Sequence, residues 1–497
     1  VNVLSFLVFL PIAAAAVLLL PQVSDRTARV AFISIAGIEV ALAVLTWVLY
    51  ETPRSGELAF EEQVRWIPGV GSSYHLGVDG LSLPLVVMTT VIFLACAVFA
   101  VTETDRPRLQ AALFLFLEGL CVGLFVSADL IVFFVFFDLS IVAMYFVISG
   151  WGHGHAARSA LKFFLYTFLG SLALLLGFVG LYVASTPHTF DMVELAADPP
   201  LRGQGLAGGL VLAAVLLGLA VKTPTFPFHT WLPPAHSDAP AIGSAVLAGV
   251  LLKMGTYGFV RIAMPMLPDA WRAWAPVIIV VGVVSVLWGA LVALAQTDLK
   301  RMIAYTSVNH MGYVVIAVGA AGVLADGADE ARSVAVTGAM TQMVSHGLLT
   351  AALFLLAGSM FERTKSYALD AYGGLAGSAP RYAILFTIAA FGSLGLPALS
   401  GFIAEFQIFA GSIATVPVTA VAAIGILITA ALFLRAIQQV FIGPTKNLST
   451  TFTDVTARET IPVGLLLALS VLIGVLPGPL LNLIEPAAAT VAQLVGR

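Results

Sequence analysis

Residues 206–264 read LAGGLVLAAVLLGLAVKTPTFPFHTWLPPAHSDAPAIGSAVLAGVLLKMGTYGFVRIAM, two apolar stretches either side of a segment that carries Pro224, Pro227, Pro233 and Pro234. A helix needs about 20 apolar residues to cross roughly 30 Å of hydrocarbon, so both stretches read as membrane spans, the first broken by its prolines. Each nevertheless contains a lysine, Lys222 and Lys253. A charge at the bilayer centre costs roughly 2.5 to 3.5 kcal/mol on insertion scales, and such groups face an internal cavity and mark an ion or proton route.

The same pattern extends along the chain. Of 497 residues 60% are hydrophobic and 10% charged, against roughly 25% charged in soluble domains. The reading is an all-α polytopic membrane protein. About 14 spans are expected, over 3–20, 27–50, 79–101, 109–126, 129–149, 159–185, 206–236, 240–264, 271–296, 302–322, 331–361, 382–411, 415–440 and 460–483. The first lacks a basic leader and reads as a retained helix, not a cleaved signal. Two spans are over-long and interrupted, one by the prolines above and one by Gly395, Leu396 and Pro397 through Gly401. Broken helices at membrane depth occur where backbone lines protein or a wet cavity, often in matching positions of inverted repeats. The expected organisation is a single membrane domain over 1–497, with N-terminal helices over 1–105, five-helix repeats over 106–264 and 265–441, and a C-terminal helix over 442–497.

Charge sets the topology. Arg26, Arg29, Arg106, Arg108, Arg158, Lys162, Lys300, Arg301, Arg363, Lys365, Arg381, Lys446 and Arg458 fall in alternate connections. Glu51, Glu57, Glu61, Glu62, Asp191, Glu194, Asp198, Asp326, Asp329 and Glu330 fall in the others. The positive-inside rule then predicts both termini outside the cytoplasm.

Several chemistries are excluded. The net charge of −4 comes with no basic patch, so no nucleic-acid partner is expected. Cys96 and Cys121 lie in apolar runs without ligand spacing, and no phosphate-binding, dinucleotide or metal-ligating motif occurs. No cofactor is expected in this chain, and any redox or ATP chemistry lies elsewhere.

Seven ionisable groups remain in or beside the spans: Glu118, Asp138, Lys222, Lys253, His310, His346 and Glu405. Asp138 lies near the midplane of LIVFFVFFDLSIVAMYFVISGW, so its partner must come from another helix. Lys253 shares a face with Gly249 and Tyr257, and the small residues Gly243 to Ala245, Ala248 and Gly249 let neighbouring helices close around it. Lys222 reads either as buried or as a helix-end lysine reaching the headgroups. Around His346 the polar residues recur every four positions (Thr337, Thr341, Ser345; Gln342, His346, Thr350), a stripe that suits either a proton relay or packing between helices. His229 and His236 flank Trp231 and read as lining a half-channel mouth. Glu405, four residues past Gly401, reads as a relay acid or as a carboxylate stabilised by the restarting helix.

LAVKTPTFPFHTWLPPAHSDAPAIGSAVLAGVLLKMGTYGFVR, AQTDLKRMIAYTSVNHMGYV, QMVSHGLLTAALFLLAG and LGLPALSGFIAEF together resemble the antiporter-like subunits of respiratory complex I, a group that also includes the large chains of multisubunit cation/proton antiporters. A glutamate at 405, where other members carry lysine, points to the M-type branch. The resemblance implies a fifth-helix acid at Asp138 paired with Lys222, a connecting Lys253, relays at His310 and His346, and an exit-side Glu405, with Glu118 and His229 as weaker members. One departure is that the fifth-helix acid is usually glutamate, and the shorter aspartate lengthens its reach to Lys222. The function so implied is proton translocation in an NADH:quinone oxidoreductase of the bacterial cytoplasmic (inner) membrane. NADH, FMN, iron–sulfur clusters and quinone would belong to partner subunits, and the L and N chains and lipids would be its neighbours. The alternatives are a sodium/proton antiporter subunit and a purely structural membrane scaffold.

Overall fold

The computed structural model describes residues 2–497. Among the described residues, twelve helices are long and apolar enough to cross a membrane: α2 (Asp25–Val48), α3 (Ser82–Phe99), α4 (Pro107–Val126), α5 (Leu130–Trp151), α6 (Ala156–Ala184), α7 (Gly205–Lys222), α9 (Ala241–Met266), α10 (Pro268–Ala295), α11 (Leu299–Ala320), α12 (Asp329–Thr364), α15 (Pro417–Phe441) and α16 (Ala457–Val475). The other two expected spans are α1 (Val3–Leu18), shorter than the rest, and the interrupted pair α13 (Pro380–Ser393) and α14 (Ser400–Thr415). The proline-rich break is also present: α7 ends at Lys222, and a short α8 (Leu232–Asp238) follows before α9.

Side-chain caps fix several helix starts, as expected where the first backbone N–H groups have no helical partner. Asp129 accepts from Ile131 N and Val132 N at the head of α5, and Asp298 accepts from Arg301 N at the head of α11. Both aspartates also bridge to the chain beyond the following long helix, Asp129 to Asp191 and Asp298 to Ala368. α16 starts with a capping box in which Thr456 and Glu459 satisfy each other's backbone.

Two features depart from the sequence reading. Residues 59–78 form an antiparallel hairpin, β1 (Ala59–Ile67) with β2 (Ser72–Val78), where an acidic connection was expected. The last expected span is two helices: α16 stops at Val475, the chain turns at Pro477, and α17 (Gly478–Gly496) packs back along α12. Arg332 of α12 ties it there by donating to Ala492 O at 2.8 Å.

Burial grades the bundle. In α9, α11 and α12, 94% of the spanning window is buried, against 28% in α2 and 33% in α16. The three enclosed helices are those that carry Lys253, His310 and His346. α12, 36 residues and about 54 Å long at 1.5 Å per residue, exceeds the bilayer core and serves as the central pillar.

Candidate functional site, a buried row of ionisable groups

The enclosed helices bring four predicted residues into one chain. Lys253 of α9 is fully buried, and its Nζ donates to His346 Nδ1 of α12 at 2.7 Å and to the Ala248 carbonyl. The backbone explains this aim. α9 widens into π-turns at Leu247–Leu251 and Phe259–Ala263, either side of the α-helical turn holding Lys253. Such bulges recur at functional sites because the extra residue redirects side chains. From His346 the row passes to His310 of α11, the two rings 5.4 Å apart between centroids. His310 Nδ1 accepts from Gln342 Nε2 at 3.3 Å and lies 3.6 Å from Glu405 Oε1 of α14. Glu405 is 5% exposed.

The break between α13 and α14 shapes the end of this chain. Gly395 has φ +77°, and a β-carbon there would stand 2.5 Å from Glu405 Oε2, so only glycine lets the backbone pass the carboxylate. A cavity of about 10 Å³ lies between His310, Gln342, His346 and Glu405, about the space one water occupies. The stripe on α12 takes up neighbouring contacts: Ser345 Oγ lies 2.7 Å from Ser400 Oγ, and Thr341 donates to Gln407 Oε1 at 3.3 Å.

The other end of the row is assembled differently. Lys222 is 1% exposed, so it is buried and not a headgroup-reaching lysine. Its Nζ donates to Ser140 Oγ at 3.3 Å and faces the Phe137 ring at 4.8 Å. Asp138 accepts from Ser171 Oγ of α6 at 2.7 Å, the partner from another helix that its isolation required. The direct Asp138–Lys222 ion pair implied by the resemblance does not form. Asp138 is half-buried on α5, and the two groups interact only through space. His229 accepts from Trp288 Nε1 at 3.2 Å and joins neither chain.

Glu118 of α4 is fully buried with neither carboxylate oxygen hydrogen-bonded, and so is Glu39 of α2, which the sequence reading did not single out. The two carboxylates interact electrostatically across the packed helices. A lone glutamate in the apolar run GIEVALAV was the available signal. Lys300 was read as part of a basic connection, yet it is fully buried, donates to Ala239 O at 2.5 Å and faces the Tyr367 ring at 5.3 Å. Its ammonium, with burial as the larger cause, pushes His153 in the α5–α6 turn down to about 4. His236 is buried within electrostatic reach of both Lys300 and Lys253, stacked on Phe354 at 4.4 Å, with both ring nitrogens unpaired.

Residues 127–430, more than half of the chain, match the family described as NADH:quinone oxidoreductase/Mrp antiporter, TM. The chain belongs to this family. An NADH-quinone oxidoreductase subunit M from Rickettsia prowazekii (strain Madrid E) is 37% identical over 97% of this chain and 96% of its own length. The subunit M from Rhodobacter capsulatus is 37% identical over 99% and 96%. Among solved structures, a chain of respiratory complex I from Thermus thermophilus with bound NADH superposes with TM-score 0.90 at 30% identity, covering 99% of this chain and 100% of that one. A chain of the Mrp complex from Dietzia sp. DQ12-45-1b superposes with TM-score 0.86 over 99% of each chain, but at 22% identity, which shows a shared fold alone. Family membership places the two broken helices and the buried row within the matched segment, where Asp138, Lys222, Lys253, His310, His346 and Glu405 all fall.

Proposed function

We propose that this chain is the proton-translocating M-type membrane subunit of an NADH-quinone oxidoreductase, and that Asp138, Lys222, Lys253, His310, His346 and Glu405 carry its protons. The observation that carries the residue assignment is the continuity of Lys253, His346, His310 and Glu405 across four packed helices, at 2.7 Å, 5.4 Å between ring centroids, and 3.6 Å. Imidazoles donate and accept at opposite ring nitrogens, so a histidine pair between an ammonium and a carboxylate can hand a proton along by successive transfer.

The driving step is electrostatic. In a desolvated site a nearby carboxylate holds the ammonium form of lysine, and moving the carboxylate away releases the proton. Two unit charges about 4 Å apart interact by about 4 kcal/mol at an effective dielectric constant of about 20. Moving one charge against 100 mV costs about 2.3 kcal/mol, so making and breaking one such contact suffices for one proton. Asp138 and Lys222, separated here, are the pair in this reading that closes and opens. The chain acts as a non-redox translocase. NADH, FMN, iron–sulfur clusters and quinone reside in partner subunits, and the antiporter-like L and N chains are its membrane neighbours. We place it in the bacterial cytoplasmic membrane with both termini outside, built from inverted units over 106–264 and 265–441. The matching aspartate caps of α5 and α11, each bridged to the chain beyond the next long helix, support that division.

The test is Lys222→Ala in the assembled complex. NADH oxidation by an artificial acceptor stays intact while NADH-driven proton uptake into inverted vesicles is abolished; normal uptake would defeat the assignment. Sodium-stimulated proton exchange by vesicles carrying this chain would favour an antiporter subunit instead.

A further inference from the structure

A cavity of about 570 Å³ opens on the face of the bundle that carries the hairpin, between the 50–58 segment, the helix Met192–Ala197 and α17. That is far more than a single water needs, about 10–15 Å³. Its walls include Tyr50, Arg54, Ser127 and Thr490, and Arg261 and Asp79 are exposed within it. Those last two form an ion pair, Arg261 Nη2 to Asp79 Oδ1 at 2.6 Å, with side chains 16% and 13% exposed. Behind them exposure falls to zero at Tyr257. Arg261 Nε donates to the Tyr257 hydroxyl at 2.8 Å, and that hydroxyl in turn donates to Phe125 O at 3.1 Å.

Lys253, Tyr257 and Arg261 recur every four residues on α9, so they rise along one side of the helix in steps of about 6 Å. The ion pair is therefore the boundary between the open cavity and the buried interior, and Tyr257 and Ser82 are the protic groups it touches on the buried side. The π-turn at Phe259–Ala263 contains Arg261 and aims it at Asp79. Glu57 on the cavity wall belongs to the acidic set of connections, which the reading above places outside the cytoplasm.

We propose that this cavity is a water-filled proton-release vestibule for the first half of the chain, with Tyr257 and the Arg261–Asp79 pair as its floor. A proton leaving Lys253 crosses one helical turn to the Tyr257 hydroxyl, which turns away from Phe125 O, breaking that hydrogen bond, and passes on its own proton as it accepts. Asp79 receives it when Arg261 swings aside, and loses it to the cavity water. The first half then has an outlet of its own, apart from the route through Glu405. This rests on the proposed function, because it needs Lys253 to carry protons.

Tyr257→Phe removes the hydroxyl and keeps the ring, so it is the sharpest variant. In the whole complex we expect proton uptake into inverted vesicles to fall about tenfold or more, the order of a lost proton-transfer group, with ferricyanide reduction by NADH unchanged. Asp79→Asn should act in the same direction. Independently, Thr490→Cys, at a partly exposed position of the cavity wall, should react in right-side-out vesicles with a membrane-impermeant thiol reagent, detected on this subunit by mass spectrometry, and the reaction should slow pumping relative to unreacted Thr490→Cys. If Lys222→Ala stops pumping while Tyr257→Phe pumps like the unaltered complex, the vestibule is overturned and the relay stands. If Lys222→Ala also pumps normally, the relay itself falls. A Thr490→Cys that is not labelled from outside overturns the vestibule by itself, even where Tyr257→Phe fails to assemble.

Discussion

From Lys253 to Glu405 the ionisable side chains follow one another closely, with Lys253 bonded to His346, the His346 and His310 rings 5.4 Å apart between centroids, and His310 3.6 Å from Glu405. From Asp138 to Lys222 the acid and base instead turn to separate hydroxyls, Ser171 and Ser140, and no ion pair joins them. The difference lies in the helices that present them. Lys253, His346 and His310 stand on helices enclosed almost all round, whereas 56% of the α5 window and 39% of the α6 and α7 windows are buried. A polar contact inside a close-packed core has little freedom to rearrange. Contacts on helices that border lipid can exchange partners by small shifts. The row from Lys253 to Glu405 is built as a fixed conductor, and the Asp138–Lys222 region holds the adjustable link.

The harshest way to break that contrast is Lys253→Met, which removes the head of the contiguous chain while filling its volume. Pumping should fall about a hundredfold, the scale of losing a positioned acid–base group, as read by dye quenching in inverted vesicles; near-normal pumping would show that the contiguous row is not the conductor. Glu405→Gln keeps shape and packing and removes only the titratable end, so a loss of no more than about a hundredfold is expected in the same assay. In the adjustable Asp138–Lys222 region, Ser140→Ala withdraws one hydrogen bond from a charged donor, worth about 1.5 kcal/mol, and should slow pumping roughly tenfold or less. Asp138→Glu extends the acid toward Lys222 and should hold or raise the rate. A Ser140→Ala defect as deep as that of Lys253→Met would erase the distinction between the two regions.

The mildest effect belongs to the rim of the first half. His75 of β2 lies 2.6 Å from Asp191 and 2.8 Å from Glu61. Burial works against its charged form, yet the two carboxylates hold it above the ordinary value of 6.5. Asp191, though burial opposes its ionisation, is held below 3.8 by the His75 hydrogen bond. A raised histidine stabilises the fold fully below its unfolded value and loses that contribution as pH rises through the folded one. A lowered carboxylate stabilises above its unfolded value and loses that contribution as pH falls through the folded one. The hairpin should thus be tightest between about pH 4 and pH 6.5 and loosen by a modest factor on either side. Amide hydrogen exchange of residues 72–78, corrected for the intrinsic pH dependence, reads this directly, and His75→Gln should flatten the profile.

Much of this was legible in the residues. Apolar runs of bilayer length placed the helices, and prolines and the Gly395–Gly401 stretch placed both breaks, because lipid leaves backbone few alternatives to a helix. Lys253, His310, His346 and Glu405 announced themselves as polar groups in apolar runs, and the structure joins them. Connections outside the hydrocarbon were harder to read. In AFEEQVRWI the acidic side chains outweighed the alternation that makes β1, and Lys300 took its meaning from the exposed Arg301 beside it although its own side chain turns inward. The break in the C-terminal span at Pro477 was hidden because α16 and α17 are both apolar enough to read as one run.

The paired π-turns of α9 carry a further consequence. Each holds one residue more than a regular helix needs, and each residue of an α-helix turns the chain by about 100°. Deleting one residue from Leu247–Leu251 would leave a smoother, better hydrogen-bonded rod and swing the Lys253 ammonium away from His346. The helix that conducts is therefore the irregular one, and a mutation that perfects its geometry should silence it.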